Sequence, residues 1–436
     1  MEYVVGLLIF VVVLLGSIAL HEVGHMVPAK RFGVRVSHYM VGFGPTLWSR
    51  VKGETEYGFK AIPLGGFVRL VGMYPPAEAV GNPQARTWVG RLARDARLAS
   101  AEEIHEGEDH RAFYRLSTPK KLVVMLGGPV MNLVIAFVLM AIVFVGIGLP
   151  GPTTTLKSVS ACVIPVSAPA TRECTSTDDV APGAAAGLLP GDTITSYNGT
   201  AVDSWEDLSK LIRATGDEAV PVTVERDGTS VDLTVTPVVA ERPVYDAHAN
   251  AVLNADGTPK TSSVGFIGIG PKEETQRESI WRIPGRVATM TGETAAVVAT
   301  FPQKVGDLWS STVHDTPRDT SSVVGVVGVG RFAGEIASEH DIDWGLKLAG
   351  LLLMLASLNI ALFVFNLIPL PPLDGGHVAA SLWEGGRRQV ARLRGRPRPG
   401  PFDSAKLVPL AYSVFVLFGA VGLLLIYADL VNPVQI

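Results

Sequence analysis

The sequence predicts a polytopic α-helical membrane protein with four transmembrane helices, a cytoplasmic β-hairpin and an α+β domain on the opposite side of the membrane. Three observations carry that prediction. The 436 residues are 47% hydrophobic and only 18% charged, with a mean hydropathy of +0.32, a balance that belongs to membrane chains. Four separate apolar stretches approach the ~20 residues needed to cross a bilayer core. Between them lie glycine-punctuated, alternating stretches with the period of strands rather than of spanning helices. The net charge of −4 points away from nucleic acid as a partner.

The first span is "YVVGLLIFVVVLLGSIAL", with no charge over residues 3–20. A cleaved signal peptide would need a basic start and a small-x-small cleavage site. Met1-Glu2 supplies neither, so the segment is expected to stay. The second span is 122–149, interrupted early by "GGPVMN"; the third is 348–368 and the fourth about 408–430. Basic residues set the orientation. Arg387, Arg388, Arg392, Arg394, Arg396 and Arg398 crowd the connection after the third span, and Lys30, Arg31, Arg35, Arg115, Lys120 and Lys121 flank the connection between the first two. Both connections are therefore expected in the cytoplasm of a bacterial inner membrane, with the termini and the long 150–345 region outside. Cys162 and Cys174 then fall on the oxidising side, where a disulfide closing "CVIPVSAPATREC" is expected.

The chemistry starts at "HEVGH". His21 and His25 at i, i+4 project from one helix face, where two imidazoles can grip one zinc ion, and Glu22 stands beside them to take a proton from water. The bland alternative is a histidine pair at a helix end, facing solvent. A catalytic zinc wants three protein ligands and an open position. The first acid after the third span is Asp374, in "NLIPLPPLDGGH", behind three prolines that break the helix. Alone, Asp374 reads as a turn residue of "LDGG". Together with HExxH it reads as the third ligand, because both features fall toward the same end of their spans and an acid at that depth is costly unless bound. His377, three residues on, competes for the role.

HExxH on the first span, "GGPVMN" on the second and "NLIPLPPLDGGH" on the third resemble the site-2 protease family of intramembrane zinc proteases, in its bacterial RseP-like branch. The stretches "GFGPTLW" and "AIPLGGFVRLVGM" resemble that branch's cytoplasmic membrane-associated β-loop, and the wording is similar to actinobacterial members. The resemblance covers nearly the whole chain. It implies His21, His25 and Asp374 as ligands of one catalytic Zn²⁺ and Glu22 as general base. It also implies a substrate-binding or oxyanion role for Asn366, and matches Asn132 to a motif position near the substrate. The substrates it implies are single-pass membrane proteins such as anti-sigma factors, first trimmed by a site-1 protease.

Outside the membrane, "APGAAAGLLPGD" followed by "TITSYNGTAVDSWEDLSKLI" has the local order of a bacterial PDZ domain, with "VPVTVERDGTSVDLTVTPV" adding a hairpin through Asp-Gly. Residues 156–240 therefore resemble a PDZ-like domain, a module that in this family usually filters bulky substrates. The expected order is: residues 1–34, first span with HExxH; 35–118, cytoplasmic region with the β-loop; 119–150, second span; 156–240, PDZ-like domain. Then follow 241–345, a linker with a short β element within 241–278 and then amphipathic and re-entrant helices; 346–385, third span with LDG; 386–404, a basic loop; and 405–436, the fourth span. Two rivals stand beside this reading: a non-catalytic PDZ-containing membrane scaffold, which predicts a broken motif, and a metal transporter, which predicts ionisable residues spread along the spans.

Overall fold

The computed structural model describes all residues except 1, 82–86, 166–171, 245–251, 253, 255–257, 315, 317, 319–321, 341 and 435–436, and the side chain of residue 64. The chain forms two compact units, Met1–Ile147 with Glu278–Ile436, and Gly148–Arg277.

The first unit opens with α1 (Glu2–Arg31), 30 residues and so about 45 Å long, more than the ~30 Å of a hydrocarbon core. Two long antiparallel strands follow, β1 (Val36–Lys52) and β2 (Thr55–Leu70), turning at Gly53 with φ +64°. Their base is buried: Val36 and Leu70 join Ala29 of α1 with Phe113, Val124 and Met125 in one apolar cluster. Their far half exposes Phe43, Leu47, Trp48, Val51, Phe59 and Ile62, a bare apolar tip. Next come α2 (Trp88–Glu102), capped by Thr87 Oγ1 accepting from Gly90 N–H at 3.1 Å, and α3 (Thr118–Ala141), continued to Ile147 by a wider turn.

The second unit contains β3 (Leu149–Val159), α4 (Pro182–Ala185), β4 (Thr193–Tyr197), β5 (Thr200–Ala201), α5 (Trp205–Ala214), β6 (Val220–Arg226), β7 (Thr229–Val235), β8 (Val238–Pro243), β9 (Thr261–Phe266) and β10 (Ile269–Gln276). The strand order is β10-β3-β4-β6-β7, with β5 on β4 and β8 paired to β9. Leu156, Ile194, Tyr197, Leu208, Val222, Val224 and Ile267 form its core. Asn198-Gly199 and Asp227-Gly228 both take positive φ, the geometry of tight hairpin turns. Cys162 and Cys174 are bridged. The stretch after residue 240, expected as a linker with a short β element, carries β9 and β10. β10 pairs with β3 from Ile269–Val159 to Gln276–Leu149, so this stretch completes the sheet.

The first unit resumes with α6 (Ile283–Ala299), α7 (Phe301–Val313), α8 (Val326–Ser338), α9 (Trp344–Asn366), α10 (Asp374–Leu393) and α11 (Val408–Val431). α8 packs on α1, where a Cβ on Gly6 would strike Ala337 and lie 2.9 Å from the Ala333 carbonyl. Asp429 of α11 accepts from the Gly325 and Gly328 amides at 2.9 and 2.8 Å and pairs with buried Arg318 at 3.1 Å, fastening the start of α8. Within the apolar zone, Asn359 Nδ2 donates to Ser17 Oγ at 3.1 Å, a polar tie between α9 and α1.

Four helices are long and apolar enough to cross a membrane: Glu2–Arg31, Thr118–Ile147, Trp344–Asn366 and Ser404–Val431. α9 stops at Asn366, because Pro369, Pro371 and Pro372 lack the donors a helix needs. A new helix starts at Asp374 and continues to Leu393, through residues expected as loop. Gly375 and Gly376 allow that restart, since a Cβ on either would run into the backbone of 367–371.

Candidate metal centre

His21 and His25 stand one turn apart near the end of α1, on the face turned toward α3. Three glycines make room for them. A Cβ on Gly24 would collide with the Gly127 carbonyl, and one on Gly127 with the Gly24 carbonyl, so the two backbones touch. A Cβ on Gly128 would overlap His25 Nε2 and lie 2.7 Å from His21 Nε2. The imidazoles occupy the volume that an α3 side chain would take.

One ring is oriented from outside. His25 Nδ1 donates to the Val124 carbonyl at 2.8 Å, which selects the tautomer with a lone pair on Nε2. That atom lies 3.3 Å from His21 Nε2 and 3.3 Å from Asp374 Oδ2; His21 Nε2 and Asp374 Oδ2 are 3.5 Å apart. Around a tetrahedral zinc with ligands at 2.0–2.1 Å, neighbouring donor atoms sit about 3.3–3.4 Å apart. The triangle therefore has the size of one face of such a site. Asp374 Oδ2 is also buried without a hydrogen-bond partner, an expensive position for a carboxylate oxygen that a cation would relieve. The residues fit one metal ion. Among the described residues, these three form the one group of such side chains with ligand atoms within 4.8 Å of one another.

Glu22 is buried beside the triangle, and β2 is laid against it. A Cβ on Gly66 would stand 3.0 Å from Glu22 Cγ and 3.2 Å from Ile18 Cγ2, so only glycine lets the strand approach this closely. Tyr39 of β1 donates its hydroxyl to the Ala19 carbonyl at 2.8 Å, holding the hairpin base on α1.

His377 lies one turn along α10 from Asp374 and does not join the triangle. Asn366 is the last residue of α9 and half-buried. Asn132 follows Gly128 by one turn of α3 and is buried, with neither amide atom hydrogen-bonded. Gly24, Gly66, Gly127 and Gly128 all lie within the motifs, but the motifs alone give none of them a packing role, and the Val124 carbonyl has no sequence signal. Paired small residues inside an apolar span were the available signal for a close helix crossing.

A bundle of spanning helices that converges two imidazoles and a carboxylate beside a buried glutamate has the architecture of a membrane zinc metalloendopeptidase. Comparison with known proteins makes the class specific. The model of peptidase family M50 matches residues 9–397. The chain is 34% identical over 445 residues to zinc metalloprotease Rip1 of Mycobacterium tuberculosis, covering 100% of both chains. It is 34% identical over 451 residues to zinc metalloprotease Rip1 of Mycolicibacterium smegmatis, again covering 100% of both. It is 27% identical over 394 residues to metalloprotease MmpA of Caulobacter vibrioides, covering 87% of each. The chain belongs to peptidase family M50, the site-2 proteases. It is accordingly a zinc metalloendopeptidase.

Proposed function

We propose that the protein is an intramembrane endopeptidase that hydrolyses a peptide bond in or near the transmembrane segment of a single-pass membrane protein. Its ligands to one zinc ion are His21, His25 and Asp374, and the observation that carries this is the 3.3, 3.3 and 3.5 Å triangle of their donor atoms. Bound zinc supplies Lewis acidity, polarising a carbonyl and making water nucleophilic at neutral pH. Glu22 takes the proton of the attacking water and returns it to the leaving amine nitrogen. The Val124 carbonyl keeps the His25 ring turned toward the centre. Asn366 holds the substrate strand or donates to the developing oxyanion, and Asn132 lies on the substrate side of α3.

The substrate helix must unwind, because its peptide groups are locked in hydrogen bonds. The β1–β2 edge beside Glu22 offers replacement bonds to an extended segment. The connections bearing Lys30, Lys121 and α10 lie in the cytoplasm of a bacterial inner membrane, with both termini and the 148–277 unit outside. That unit acts as a PDZ-like filter, so the substrate is one already trimmed by a site-1 protease, for example an anti-sigma factor.

The test is cleavage of a transmembrane peptide by purified full-length protein and by Glu22→Gln. The expected result is a loss of at least ~10²-fold in rate with zinc content kept. Cleavage surviving in the variant removes Glu22 from the mechanism. Undiminished zinc in Asp374→Ala removes Asp374 from the ligand set.

A further inference from the structure

α10 has one fastened face and one bare face. Ser381, Glu384 and Ala391 are buried, and Glu384 accepts from Lys121 at 2.9 Å and pairs with Arg388 at 2.7 Å. On the opposite stripe Leu382, Trp383, Val390 and Leu393 recur at helical spacing and are 56, 63, 46 and 76% exposed. Leu382, Trp383 and Val390, with the chain that follows α10, wall a groove of about 870 Å³ that also contains Arg387, Arg394 and Arg396. No acidic residue lines it. Among the described residues none of these three guanidinium groups is ion-paired.

The depth of the groove is fixed by the fastened face. A Cβ on Gly385 would lie 2.8 Å from Thr118 Cγ2, and Glu384 meets Lys121, so this part of α10 is level with the first turn of the spanning helix α3. A tryptophan and aliphatic side chains at that level meet the acyl–headgroup boundary; Arg387 stands beside them, and Arg394 and Arg396, at and just past the end of α10, meet phosphates.

We propose that this groove binds an anionic phospholipid, its acyl chain along Leu382, Trp383 and Val390 and its phosphate on Arg387, Arg394 and Arg396. A zwitterionic lipid brings its own cation to the arginines and gains less. A second copy of the chain would bring the same basic face, and like charges across an interface oppose docking. Each arginine near an anionic surface contributes about fivefold in affinity, so three give about a hundredfold preference.

The test uses the full-length protein, reconstituted in vesicles of equal phosphatidylglycerol and phosphatidylcholine, then released and weighed with its retained lipid by native mass spectrometry. The wild type is expected to retain phosphatidylglycerol over phosphatidylcholine. The triple variant Arg387→Gln, Arg394→Gln, Arg396→Gln is expected to lose that preference by about a hundredfold, and the matching triple Arg→Lys variant to restore most of it. Brominated phosphatidylglycerol is expected to quench wild-type fluorescence more than that of Trp383→Phe, a substitution at an exposed site that leaves folding intact. Equal retention of both lipids, or an unchanged preference in the glutamine variant, overturns the proposal. So does displacement of the lipid by millimolar inorganic phosphate, or a dimer that shields Trp383. Lipid retention is read without proteolysis, so its failure is separate from failure of the catalytic reading.

Discussion

At the scale of single residues the site depends on what is missing as much as on what is present. Gly128 has no side chain where the two imidazoles converge, and a methyl group there would overlap His25 Nε2. Gly128→Ala is therefore expected to lose zinc and activity together, with the helices still formed; metal analysis of the folded variant checks it. The convergence of His21, His25 and Asp374 was legible in the sequence because an i, i+4 histidine pair and an acid behind a proline break fall toward the same end of their spans. The glycines were less so. Their role exists only once α1 and α3 cross, and no local pattern says which faces meet. Asn132 shows the same limit, since its buried, unbonded amide is a property of the packed helices.

At the scale of elements the four spans were readable from hydropathy alone, and the boundaries that moved did so for identifiable reasons. The third span ends eight residues before Asp374 because prolines stop α9, and α10 is a separate helix whose polar face is hidden by partners from other parts of the chain. Periodicity over 374–393 is amphipathic, and the arginine-rich composition obscured it. Lys121 and Glu384 are the join between α3 and α10, both buried and in contact at 2.9 Å. Removing Lys121 strips buried Glu384 of one of its two cationic partners, Arg388 remaining at 2.7 Å, so the cost is about 1–3 kcal/mol, below that of a buried charge left wholly unpaired. Lys121→Ala is expected to lower unfolding stability in detergent by that order and to weaken zinc retention, because Asp374 begins the helix that the pair secures. A denaturation midpoint equal to wild type would exclude the join as a source of stability.

At the scale of the whole molecule the 148–277 unit carries an acid response of its own. In the 148–277 unit, Asp192 is buried and accepts from Arg226 at 2.7 and 2.8 Å and from the Leu189 amide at 2.8 Å. The Arg226 guanidinium, helped by that amide, holds its carboxyl below the usual range. A folded-state value lower than the unfolded one gives stability that is full above the ordinary carboxylate range and is lost as pH falls through the lowered value. Acidification is therefore expected to loosen this unit, and Asp192→Asn to remove that part of the acid response while costing stability at neutral pH. Limited proteolysis of the full chain across pH, scored for cuts within 148–277, reads both effects.

The donor triangle also joins distant parts of the chain: 374 − 25 = 349 residues separate His25 from Asp374. At ~5–20 residues per second of synthesis, the ribosome needs roughly 20–70 s to make that interval. Throughout it, the nascent polypeptide holds two histidines and the glutamate without their carboxylate partner. The three donor atoms can therefore converge only once about six sevenths of the polypeptide has been made and residue 374 has folded back on the opening helix.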